Sequence, residues 1–123
     1  MSENISWSLT AGGKAGSGIN VAGATAGDAI VAASVDLDAG SAERALTLQV
    51  DNVDNVTFLA ISSDLLDGKV MVKATGSAIE LTGPILLFGK AVALFASDLT
   101  TLTVHNTSVD KAAILSVLIG LTT

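Results

Sequence analysis

Cysteine and tyrosine are absent from this chain, and proline, histidine and tryptophan occur once each. The missing cysteines exclude a disulfide scaffold, an iron–sulfur cluster, a thiolate zinc site and a thiol nucleophile. The single histidine, His105, excludes a multi-histidine metal site within one chain. Aromatic residues make up only 3%: Trp7, Phe58, Phe88 and Phe95. Sugar- and peptide-binding faces depend on aromatic anchors, so their scarcity weighs against such a role. Charged residues are also few, at 15%, where an ordinary domain carries about 25%. The net charge of −6 provides no electrostatic footprint for nucleic acid or for an anionic membrane. No long apolar run is present. The longest, residues 112–121, is interrupted by Ser116 and Gly120 and falls short of the roughly 18 residues of a membrane helix. Met1-Ser2-Glu3-Asn4 lacks the basic and apolar regions of a signal peptide, so the expectation is a chain made in a cytoplasm and not secreted. The N-x-S/T triplets at Asn4, Asn55 and Asn106 then read as chance matches.

What is abundant is small and apolar. Hydrophobic residues are 50% and the mean hydropathy is +0.63. With 123 residues the chain fits one domain, with a folded surface of roughly 6,000 Å² by area scaling. A short chain has much surface per unit of core, so excess apolarity means either small, tolerant alanines or a face that meets a partner. Alanine is plentiful, and both explanations contribute.

Period-two alternation recurs along the chain and predicts half-buried strands. It is seen at Ile5/Trp7/Leu9, Val31/Ala33/Val35/Leu37, Leu46/Leu48/Val50, Val70/Val72, Ile79/Leu81 and Leu102/Val104. Residues 56–61 and 85–88 are continuous apolar runs, as expected of strands covered on both faces. Residues 113–119 read as a central strand. Turn residues punctuate these segments: residues 51–55, Asp67-Gly68 (a hairpin signal), Thr75-Gly76-Ser77, Gly83-Pro84 and residues 106–108. Phe88-Gly89-Lys90-Ala91 reads as strand, turn and strand. Breaks every 8–12 residues are the spacing of a sandwich or barrel. The predicted fold is all-β: an antiparallel β-sandwich of about eight strands, jelly-roll or immunoglobulin-like. Residues 29–123 form the sandwich, and residues 1–28 form a strand and a Gly/Ala-rich arm. Residues 11–28 read as a long loop or arm with strand pieces only near Ile19–Val21, and a loop of that length is usually functional.

No motif points to a reaction. Gly12-Gly13-Lys14-Ala15-Gly16-Ser17-Gly18 resembles a phosphate loop, but Ala15 replaces the required hydroxyl residue and no helical pattern follows. Val21 stands where a dinucleotide-binding fingerprint needs its third glycine. Aspartates cluster at Asp36/Asp38, Asp51/Asp54 and Asp64/Asp67. EF-hand spacing is absent, and aspartate in turns mainly bonds its own backbone. Were a metal to bind, Asp51, Asp54, Asp64 and Asp67 would be its ligands, from two neighbouring loops. His105 lies at the polar phase of a strand, without a nucleophile elbow to serve. No catalytic residue and no cofactor is expected. Trp7 is either a core anchor or an interface anchor.

Leu46-Thr-Leu-Gln-Val50, Asp54-Asn-Val-Thr-Phe58, the stretch Ala78–Ile85 and Leu99-Thr-Thr-Leu-Thr-Val-His-Asn-Thr107 resemble, in texture, small virion proteins of tailed bacteriophages. Those are cysteine-free, unsignalled β-sandwiches rich in Ala, Gly, Thr and Val. They serve as capsid decoration (cement) proteins or as small head and tail components. The resemblance covers about residues 45–123 and carries over no functional residue. It implies a non-enzymatic virion protein whose partners are copies of itself and a major capsid or other virion protein. Open sheet edges with one proline and few lysines point the same way, because monomers usually blunt such edges. The expected interface residues are Trp7, Lys14, Ile19 and Val21. The competing expectation is a ligand- or receptor-binding β module, assisted by calcium at the acidic loops.

Overall fold

The computed structural model describes residues 3–12, 18–27, 29–48, 50 and 52–122. Among them the fold is all-β, with antiparallel pairing throughout its sheets. The strands are β1 (Glu3–Gly12), β2 (Gly18–Gly27), β3 (Ala29–Leu37), β4 (Arg44–Thr47), β5 (Val56–Ser63), β6 (Val70–Lys73), β7 (Ile79–Glu80), β8 (Ile85–Phe88), β9 (Thr101–Asn106) and β10 (Ala113–Leu121). Among the described residues β1 and β2 pair only with each other. The others form two four-stranded sheets, ordered β3-β10-β5-β8 and β4-β9-β6-β7.

The pairings nest. β6 meets β7, β5 meets β8, β4 meets β9 and β3 meets β10. The chain from β3 to β10 is therefore one long hairpin. Along each arm of that hairpin, β3 to β6 and β7 to β10, the strands fall alternately in the two sheets, and β10·β5 and β9·β6 pairs close each sheet. Both sheets feed one core. Leu59, Ile61, Leu115 and Ile119 of one sheet and Val70, Val72, Leu102 and Val104 of the other are all fully buried in the same cluster.

Alternation sets the faces, with one local exception. Gly120 pairs with Phe58 but Leu121 pairs with Val56, so Thr57 is an extra residue in β5. Such a bulge resets the alternation. Val56 and Leu59 both join the core while Phe58 turns to the opposite face. Phe58 is nonetheless buried there, because other residues cover it from outside.

Several local expectations change. Residues 18–27 form a full strand, not a loop with strand pieces, since each is registered against β1 from Gly12↔Gly18 to Glu3↔Gly27. Residues 89–94 form a 3₁₀ helix after β8 instead of a turn into another strand. Asp67-Gly68 is not a hairpin turn: β5 and β6 lie in different sheets. Its chemistry is still that of a turn, with Gly68 at φ 88° and Asp67 Oδ1 accepting from Lys69 N at 3.1 Å. The β6–β7 connection through Thr75-Gly76-Ser77 does join a hairpin pair.

A fully buried asparagine ties the end of β9 to its surroundings. Asn106 Nδ2 donates to the carbonyls of Leu37 (3.1 Å) and Lys111 (2.8 Å), and its Oδ1 accepts from Ser108 N (3.0 Å). It thus satisfies backbone groups of β3 and of the loop before β10 that burial would otherwise leave unpaired.

Candidate functional site

The β1–β2 hairpin has one apolar and one polar face. Ile5, Trp7, Leu9 and Ala11 alternate on one side and register against Gly23, Val21 and Ile19. Ser6, Ser8, Thr10 and Asn20 take the other, where Thr10 Oγ1 lies 3.4 Å from Asn20 Oδ1. Between Ile5 and Gly27 the only charged residue is Lys14.

The base of this apolar face is docked on the β3-β10-β5-β8 sheet. Ile5 is buried, and a Cβ placed on Gly120 would lie 2.7 Å from its Cδ1. Trp7 stacks at a tilt on Phe88, centroids 4.6 Å apart, and Phe88 meets Phe58 edge-on at 5.3 Å. Three of the chain's four aromatic residues thus make one clasp, in geometries that aromatic quadrupoles favour. Gly23 completes it: a Cβ there would stand 3.0 Å from Trp7 Cζ2. This clasp covers Phe58 on the outward face of β5.

Toward its far end the same face is exposed. Leu9 is 41% exposed, Val21 44% and Ile19 56%. The chain's accessible surface, 7,196 Å², exceeds the roughly 6,100 Å² expected of a compact chain of this mass, as a protruding hairpin would produce. Beyond the clasp, the outward face of the sheet continues as an open depression of about 440 Å³. Ala32, Ser34, Ala60, Ser62, Ser116 and Leu118 line it, all uncharged and mostly small.

Compared with family models, curated proteins and solved structures, the chain matches none.

The expected site residues divide. Trp7 is half-buried as the hairpin's anchor, while Ile19 and Val21 are exposed on its apolar face. Lys14 lies outside the described residues, as does Asp51. The three described carboxylates of the expected metal site are not gathered, although Asp64 lines a depression with Asp36 and Asp38. Asp54 sits in a 3₁₀ turn (Val53–Asn55) before β5 and Asp64 and Asp67 follow that strand, whose eight residues span about 26 Å. Loops at opposite ends of one strand cannot share an ion, which corrects the expectation that these loops converge. Two of the acids hold backbone groups instead: Asp67 Oδ1 accepts from the nearby Lys69 N at 3.1 Å, and Asp64 Oδ1 accepts from Ile114 N of β10 at 2.8 Å. Among the described residues no three His, Asp or Glu side chains group as metal ligands. His105 is half-buried on the outward face of β9, opposite Met71.

Leu9, Ile5, Phe88, Gly23 and Gly120 join this site without belonging to any motif. The alternation at Ile5/Trp7/Leu9 holds the signal for the first two. Nothing local marks the other three, whose roles depend on what packs above them.

Proposed function

We propose that this is a non-enzymatic virion structural protein that decorates a tailed-phage head, using the distal apolar face of the β1–β2 hairpin to seat on the shell. The observation that carries the reading is the exposure of Leu9, Ile19 and Val21 on an arm that Trp7, Phe88 and Phe58 clasp at its base. An exposed apolar stripe is what a partner surface covers.

The nested strand order supports a finer fold reading. Two sheets ordered β3-β10-β5-β8 and β4-β9-β6-β7 and a shared core support the jelly-roll form of the sandwich. That architecture recurs in viral shell and lectin domains. Fold alone does not fix a role, and the hairpin is the feature that favours the shell reading over ligand recognition.

Energetics explain why such a protein would act in many copies. Completing the burial of three half-exposed aliphatic side chains yields about 1 kcal/mol each, or about 3 kcal/mol gross per arm. Association costs exceed this, so a single arm binds weakly. Repetition on a lattice supplies the remainder as avidity.

The test is co-sedimentation with phage heads stripped of their small head proteins. The wild-type chain should pellet at a saturable ratio. The Ile19→Lys/Val21→Lys variant should lose at least tenfold in affinity with an unchanged melting temperature. Equal binding by the two proteins, or no binding by either, overturns the reading.

A further inference from the structure

Within the two four-stranded sheets, β3 is the one long outer strand. Among the described residues only β10 pairs with it, so one side of a nine-residue strand presents unpaired backbone groups. The other outer strands are short: four residues in β4 and β8 and two in β7. Short length is one way that folds protect a sheet edge, and lysine, proline or a bulge are others. β3 uses none of them. Ala29-Ile-Val-Ala-Ala-Ser-Val-Asp-Leu37 holds no lysine, proline or glycine. Its register with β10 runs without a shift from Leu37↔Ala113 to Ala29↔Leu121. Its one charge, Asp36, lies at the end where Arg44 Nη1 reaches the Asp36 carbonyl at 3.5 Å.

The core is also unfinished at this edge. Val31, Ala33 and Val35 pack against the core cluster yet stay only partly buried. Their neighbours on β10 (Leu115, Val117 and Ile119) are 0–3% exposed. The outward residues Ile30, Ala32 and Ser34 are exposed and uncharged.

We propose that β3 is a self-association edge: two copies pair β3 to β3, antiparallel, about a twofold axis at Ala33, joining their β3-β10-β5-β8 sheets into one eight-stranded sheet. A second copy fits this edge for reasons of symmetry and charge. A twofold through Ala33 sets Val31 opposite Val35 and Ala33 opposite itself, so core-facing residues meet core-facing residues. It sets Asp36 opposite Ile30 and keeps the two acidic ends apart, which matters in a chain of net charge −6. The two depressions beside Ala32 and Ser34 then lie on one continuous face. This inference does not depend on the shell-binding role of the hairpin.

The absence of cysteine makes the test direct. Residues directly opposite in an antiparallel pair have Cα atoms about 4.5–5.5 Å apart, within the range that a disulfide spans. Under mild oxidation Ala33→Cys should give a covalent dimer at least tenfold more abundantly than Val31→Cys or Val35→Cys. In each of the latter the like residues are about 13 Å apart. An equimolar mixture of the Val31→Cys and Val35→Cys chains should recover the cross-link. In parallel, Ala32→Lys/Ser34→Lys, at exposed positions, should convert a dimer mass by light scattering to a monomer mass at an unchanged melting temperature. Val21→Lys, on the hairpin, should leave the dimer intact. A wild-type monomer at the highest soluble concentration, equal cross-linking at all three positions, or a dimer indifferent to the two lysines overturns the proposal.

Discussion

Gly120 lies directly beneath Ile5, so close that a Cβ at position 120 would stand 2.7 Å from the Ile5 Cδ1. The same Cβ would meet Thr57 Oγ1 at 3.2 Å, so the glycine also accommodates the bulge in β5. One missing side chain in β10 therefore seats the arm and fits the irregular strand beside it.

Gly120→Val should lift the arm from its seat. Overpacking of this kind costs about 1–3 kcal/mol. Trp7 is the only tryptophan, so its fluorescence reports on the arm alone. The expected result is a red-shifted, more readily quenched emission, with the far-ultraviolet circular dichroism of the sheets retained.

The clasp itself can be measured. Trp7→Ala and Phe88→Ala should each lower stability. A double-mutant cycle should return a coupling of about 0.5–1.5 kcal/mol, the range for aromatic pairs. Additive effects, read from denaturant midpoints, would show that the 4.6 Å contact carries no specific energy.

Asn106→Ala should be among the more damaging substitutions. It removes the donation from Nδ2 to the carbonyls of Leu37, Lys111 and, at 3.5 Å, Asp38, and one accepted bond, from a fully buried position. At about 1 kcal/mol per net bond, with a further cost for the orphaned carbonyls, the loss is about 2–4 kcal/mol. Asn106→Asp should be no better at neutral pH, because a carboxylate would face the carbonyl oxygens of Leu37 and Lys111. Thermal melts of both variants check this.

Acid should weaken the turn before β9. The backbone N–H of Thr100, and secondarily its side chain, bond the Asp98 carboxylate and hold its pKa below the ordinary 3.8; Thr100 N lies 2.8 Å from Oδ1. A carboxylate with a depressed folded pKa binds its proton more readily in the unfolded chain. Its contribution is therefore complete above pH 3.8 and disappears as pH falls through the lower folded value. Asp98→Ala should lower stability slightly at pH 7 and flatten its acid dependence below pH 4, as followed by melts across that range.

Neither calcium nor EDTA should move the melting temperature. Asp54 lies before β5 and Asp64 and Asp67 after it, so no pair of loops there encloses an ion. A rise of several degrees on adding calcium would refute this.

The local chemistry of the chain was legible in its residues. Alternation at Ile5/Trp7/Leu9, Val31–Leu37 and Leu102/Val104 marked strands, because side chains on a pleated strand point to opposite faces whatever they pair with. The structure puts Ile19 and Val21, exposed, on the same face of the hairpin as Trp7. The glycine-rich stretch could not be read as a strand, because Gly and Ala have little intrinsic strand preference. Residues 18–27 become one only through registered pairing with β1.

What the sequence determined by itself is therefore an all-β chain with few charges and apolar residues to spare, since period, turn chemistry and composition are local properties. The tertiary structure alone decided which strands pair, and with that everything nonlocal. Asp67-Gly68 has the same turn chemistry whether the chain returns to its own sheet or crosses to the other. It also put the acidic loops at opposite ends of β5, placed Gly120 under Ile5 and left β3, among the described residues, paired with β10 alone. The physical reason is that pairing joins residues far apart in sequence: β3 lies beside β10 because the whole chain between them folds as nested hairpins.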